Sequence, residues 1–197
     1  MGSGALRCSP PCARMTDTFL VDTTALLART PGVLHELLDG LPDAWLEGRD
    51  TPDGWQPRDV LGHLISAELD EWITRVEMIL RHGPRRPFEP FDRFAHVDRD
   101  RGVPMRALLA RFEELRAEQL ARLHELVTEA DLDRIGRHPS LGEVTMRQLL
   151  ATWAVHDLDH VSQVFAALSA TQDSAVGPWK QYLGVLLRRD DPSAIPG

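Results

Sequence analysis

Four stretches carry apolar residues at helical spacing, joined by connections that contain proline and glycine. This pattern constrains the fold more than any other feature of the chain. Residues 23–41 place Leu26, Leu27, Leu34, Leu37, Leu38 and Leu41 at steps of three and four, with Pro31-Gly32 able to kink or split the run. Residues 57–81 start with Pro57 in a first-turn position and continue through Val60, Leu61, Leu64, Ile65, Trp72, Ile73 and Val76 until His82-Gly83-Pro84. Residues 104–128 carry Leu108, Leu109, Phe112, Leu115, Leu120 and Leu123 on one face, with charge on the other. Residues 145–169 open on Thr145, with Gln148 placed to close a capping box and Val144 and Leu149 placed to staple it. No strand pattern accompanies them. The expectation is an all-α four-helix bundle. The long 83–103 connection favours an up-down-down-up order, and a short extra C-terminal helix is expected over about 178–188.

The chain has 197 residues, enough for one hydrophobic core without a stapling metal or disulfide. The expected organisation is a flexible leader over 1–17, a bundle domain over 18–189 and a flexible tail over 190–197. Cys8 and Cys12 fall in the leader and read as an incidental pair. A net charge of −8 argues against a nucleic-acid partner. No apolar run is long enough to span a membrane and no signal sequence stands out, so the cytoplasm is the expected compartment, with no membrane partner. Trp45 and Trp55 are expected to tuck the 42–56 loop onto the bundle. The 83–103 segment mixes Arg85, Arg86 and Arg93 with Phe88, Phe91 and Phe94, which reads as a crossover or a substrate-covering lid.

The chemistry is carried by three histidines. His156 and His160 are four residues apart, so they project from one helix face. His63 sits in the second helix within Leu61-Gly62-His63-Leu64-Ile65. Alone, His63 reads as a satisfied core histidine. Brought beside the pair, it would complete three neutral imidazoles that suit zinc, nickel, cobalt, iron or copper better than magnesium or calcium. Asp159 and Gln163 flank the pair and are candidates to orient an imidazole or a water. Asp70 shares the His63 face, whereas Glu68 is expected at solvent or the bundle edge.

Trp55-Gln56-Pro57-Arg58-Asp59-Val60-Leu61-Gly62-His63-Leu64-Ile65, then Glu68 and Trp72, then His156-Asp157-Leu158-Asp159-His160-Val161-Ser162-Gln163, resemble the DinB/YfiT-like superfamily over about residues 20–188. The order of these segments and the 93 residues from His63 to His156 carry the likeness. The resemblance implies a four-helix bundle with His63, His156 and His160 as ligands of a divalent transition metal, zinc or nickel foremost. It also implies a homodimer, and either a thiol-dependent transferase or isomerase that uses a low-molecular-weight thiol such as bacillithiol or mycothiol, or a metal-dependent hydrolase. Gln56 departs from the serine common before the proline.

The expected function is therefore a metal-dependent enzyme acting on a small-molecule substrate. Metal would bring a water or thiol toward its anion near neutral pH. Asp159 and Gln163 would serve it from the surrounding shell, and Arg85, Arg86 or Arg93 would hold an anionic group. The competing expectation is a non-catalytic metal-binding or stress-response scaffold.

Overall fold

The computed structural model describes residues 18–187. The leader, its two cysteines and the tail beyond residue 187 lie outside the described residues. The first rod of the bundle is split, as Pro31-Gly32 allowed, into α1 (Phe19–Leu27) and α2 (Thr30–Leu38). Pro31 sits in the first turn of α2, where a missing N–H costs nothing. A short helix, α3 (Asp43–Leu46), follows.

The second rod is also split, which the sequence did not suggest. It consists of α4 (Pro57–Asp70) and α5 (Trp72–His82). Glu71 between them is distorted from ideal helical angles, at φ −111°, ψ −66°, just before Trp72 turns into the core. Trp72 stacks on Trp153 at 5.6 Å and meets His156 edge-on at 5.2 Å. A strap over 83–103 carries a 3-10 turn (Gly83–Arg85) and a short helix, α6 (His96–Arg99). The third rod is α7 (Met105–Leu126) and the fourth is α8 (Met146–Ala170). Thr145 caps α8 by accepting the Gln148 N–H at 3.1 Å, while Gln148 Oε1 accepts the Thr145 N–H at 2.8 Å. The C-terminal part of the described chain is more broken than one helix: α9 (Asp173–Val176), a 3-10 stretch (Gly177–Tyr182) and α10 (Gly184–Leu187).

The absence of strands is the clearest correction. Residues expected as a loop form an antiparallel hairpin, β1 (Ile135–His138) with β2 (Gly142–Thr145), turning at Gly142 with φ +79°. Four-residue strands are too short for alternation to stand out in a sequence. The hairpin anchors the strap, because Phe88 N–H donates to the Arg137 carbonyl at 2.8 Å. Gly136 is required there: a Cβ would lie 2.5 Å from Ile79 and 2.9 Å from Phe88.

The core forms two apolar clusters. One gathers Leu27, Val76, Leu123, Leu150 and Trp153, and the other Leu34, Leu61, Ile65, Phe112 and Val164. Several contacts fix how the rods run beside each other. Arg58, at the start of α4, donates to the Val103 carbonyl just before α7. Glu77 in α5 pairs with Arg122 near the end of α7. Phe19 at the start of α1 lies under the Arg147 guanidinium at the start of α8. No helix among the described residues is long and apolar enough to cross a membrane.

Candidate metal centre

α4 and α8 bring His63, His156 and His160 together. His156 Nε2 lies 3.1 Å from His63 Nε2 and 3.1 Å from His160 Nε2. The outer nitrogens fix the tautomers. His63 Nδ1 faces the Arg93 carbonyl at 3.3 Å and His160 Nδ1 faces Gln163 Oε1 at 2.9 Å. Both partners only accept, so both Nδ1 atoms carry hydrogen and both Nε2 atoms point lone pairs at His156. A single N–H on His156 Nε2 satisfies one of them and leaves the other facing a lone pair or nothing. A cation satisfies all three. Two nitrogens bound to a tetrahedral zinc at about 2.0–2.1 Å stand about 3.3 Å apart, close to the spacing here. The three side chains therefore fit a divalent metal ion.

The electrostatics favour the ligating form. Burial, then the neighbouring His160 imidazole, pushes His63 down to about 3. Burial, then His160 and His63, pushes His156 down to about 2. Burial also lowers His160, partly offset by Gln163 and Asp159. All three are neutral near pH 7, the state that offers a lone pair.

Behind the histidines lies a buried charge network. Arg116 of α7 donates to Asp157 at 2.6 and 3.0 Å, to Glu68 Oε1 at 2.8 Å and to the Leu27 carbonyl at 2.7 Å. Trp153 Nε1 donates to the same Glu68 oxygen at 3.2 Å. All three ionisable residues are at most 2% exposed. Glu68 is thus a core residue, not the edge residue expected from the sequence. Burial raises its pKa, opposed by Arg116. The network ties α4, α7 and α8 together, one residue from His156.

The loop before α4 and the strap together cover the outer side. Trp55 lies over His63 at 4.9 Å and is stacked with His160 at 6.1 Å, while Phe91 meets His63 edge-on at 5.5 Å. Trp55 is therefore part of the site wall, whereas Trp45 is 36% exposed. The strap docks through α6. Arg99 donates to Ser66 Oγ at 2.8 Å and to the Gly62 carbonyl at 2.9 Å. Only glycine permits this approach, since a Cβ on residue 62 would lie 2.9 Å from both Asp100 Oδ2 and His96 Cβ. His96 is buried against Trp55 at 5.2 Å.

The remaining candidates separate. Gln163 touches His160, whereas Asp159 is exposed and no hydrogen bond joins it to an imidazole. Asp70 is also exposed. Arg85 donates to the His82 carbonyl and Arg86 pairs with Glu89, while Arg93 lies over Trp55. Sequence reasoning missed Arg116, Asp157, His96 and the role of the Arg93 carbonyl.

With this geometry in place, the chain can be set beside known proteins. A "Putative metal-dependent hydrolase" of Bacillus cereus strain G9842 is 24% identical over 134 residues, covering 66% of this chain and 76% of that protein. A protein of the same name from Bacillus thuringiensis subsp. konkukian is similar to the same extent. The solved structure of YfiT from Bacillus subtilis, described as a probable metal-dependent hydrolase with an unusual four-helix bundle topology, matches with a TM-score of 0.66. It is 20% identical, and the match covers 85% of this chain and 93% of that one. Residues 26–164 match the DinB superfamily, most of the bundle and all three histidines among them. The chain belongs to the DinB superfamily.

Proposed function

We propose that this protein is a metal-dependent enzyme acting on a small molecule, with His63, His156 and His160 holding a divalent transition metal, zinc or nickel foremost. The observation that carries this reading is the 3.1 Å convergence of three Nε2 atoms whose outer nitrogens fix two lone pairs inward. A metal held there supplies Lewis acidity and a lowered pKa for a water or thiol sulfur. Three protein ligands are the donor count of catalytic rather than structural sites.

The chain's own residues do the rest. The Arg93 carbonyl and Gln163 orient His63 and His160. Asp159 adds negative charge beside His160 without touching it. Trp55 and Phe91 keep water from the imidazole faces. The names of the Bacillus relatives favour hydrolysis. The resemblance keeps a thiol-dependent transferase or isomerase, with a low-molecular-weight thiol as co-substrate, as its alternative form. The contacts of Arg58, Glu77 and Phe19 support an up-down-down-up order. We assign the exposed α8 face of Val155, Leu158 and Phe165, spaced as in a helix–helix seam, to a second copy of this chain.

Treating purified protein with dipicolinate and assaying ester and amide panels, with and without thiol, tests the reading. Loss of activity with chelator and recovery with zinc or nickel are expected. Turnover without thiol selects the hydrolase, and turnover only with thiol selects the transferase. Full activity in demonstrably metal-free protein overturns the metal-dependent reading.

A further inference from the structure

We infer that Arg93 is the substrate-selecting residue of this site, and that the molecule it selects carries a carboxylate or a comparable small anion. This inference rests on the site assignment above and deepens it. Three observations converge on Arg93. First, its position: its carbonyl accepts from His63, and its guanidinium carbon lies 5.2 Å from the ring centre of Trp55, the residue covering His63 and His160. The same guanidinium carbon is 5.2 Å from the Phe94 ring, so two aromatic residues hold it beside the wall of the centre.

Second, its charge is not consumed. In the same strap Arg86 pairs with Glu89, Arg99 with Asp100 and Arg101 with Asp98. The adjacent Asp92 spends its carboxylate on the Phe94 N–H at 2.9 Å. Among the described residues no carboxylate pairs with Arg93, although the chain carries a surplus of acid. Third, the residue is exposed. Its guanidinium carbon sits over both rings, a contact that uses no N–H donor, so the N–H groups are left for a ligand. A guanidinium edge matches a carboxylate through two parallel hydrogen bonds, which a neutral amide cannot reproduce. The backbone of Arg93 thus orients a histidine, while its side chain reads the anion presented to that histidine.

The test is calorimetric titration of the wild type, Arg93→Gln, Arg93→Lys and Arg86→Gln with succinate and with its neutral analogue succinamide. Each is measured on metal-free and on zinc-treated protein, with zinc content recorded on the same samples. The wild type is expected to bind succinate about tenfold or more tighter than succinamide. Arg93→Gln is expected to lose that preference, Arg93→Lys to keep only part of it and Arg86→Gln to keep it all. Thermal unfolding of each variant shows that the fold is intact. Equal binding of the two probes by the wild type, or a preference that survives Arg93→Gln, overturns the inference. Failure of the metal reading shows separately, as no zinc uptake, and the metal-free titrations still decide the role of Arg93.

Discussion

Arg116 grips both carboxylate oxygens of Asp157, at 2.6 and 3.0 Å, immediately beside His156 in the chain. The same guanidinium holds Glu68, five residues beyond His63 in α4. The two histidine-bearing helices are therefore set against each other through one buried cation on α7. Removing that cation leaves two buried carboxylates without their partner. Arg116→Leu is expected to lose about 3–5 kcal/mol of stability by urea denaturation. Its metal affinity should fall as well, although residue 116 touches no histidine.

Gly62 gives opposite signs for two effects. In an exposed helix interior, Gly→Ala gains about 1 kcal/mol from helix propensity. Here the new Cβ would meet Asp100 Oδ2 and His96 Cβ at 2.9 Å, with Arg99 pinning α6 in place. Overpacking of this kind costs about 1–3 kcal/mol, so Gly62→Ala is expected to lower the melting temperature. A raised melting temperature would show that α6 yields freely.

Gln163 and Asp159 flank His160 but differ in contact. Gln163→Leu removes the acceptor at 2.9 Å that sets the His160 tautomer. Zinc affinity, measured by competition with a chromophoric chelator, is expected to drop about 10–100-fold. Asp159→Asn removes an exposed charge that bonds no imidazole, and a change of a few-fold at most is expected.

Acid should weaken the metal-free protein in a defined window. His63 and His156 sit at about 3 and about 2 in the folded chain, against 6.5 ordinarily, and burial is the main cause. Between those values the unfolded chain takes up protons that the folded chain refuses. Stability is therefore full above about pH 6.5 and falls as pH drops toward 3, by at most about 1.4 kcal/mol per pH unit for each histidine. Urea midpoints of metal-free wild type should decline from pH 6.5 to 4, and more steeply than those of His156→Gln. Parallel slopes would contradict the burial argument.

The exposed face of α8 sets the last of these expectations. Val155, Leu158 and Phe165 are 62%, 52% and 45% exposed. If a second copy covers them, sedimentation of the wild type shows a dimer and Phe165→Glu shows a monomer. A monomeric wild type would remove the assignment.

The bundle rods were legible because helical periodicity and proline or glycine punctuation are local signals. The α8 start was legible down to its capping pair, Thr145 and Gln148. The His156–His160 face was legible from its spacing, whereas the approach of His63 depends on how α4 packs on α8. The charge network left a fainter trace. Glu68 lies four residues from Leu64 and Trp72, Arg116 lies four from Phe112 and Leu120, and Asp157 lies four from Trp153 and Val161. Each charge is in register with an apolar stripe, and opposite signs on different rods foreshadow a buried pair. The β1–β2 hairpin, the break at Glu71 and the placement of Trp55 over the histidines depend on tertiary packing that no local pattern encodes.

Metal content is the most direct test of the central claim. Tag-free wild type, purified without added metal, is analysed for its elements beside a His156→Ala/His160→Ala variant, before and after exposure to zinc or nickel. About one equivalent in the wild type and little in the variant is the expected result, since three inward nitrogens bind one ion. No metal in either, with no uptake on exposure, would contradict the three-histidine centre.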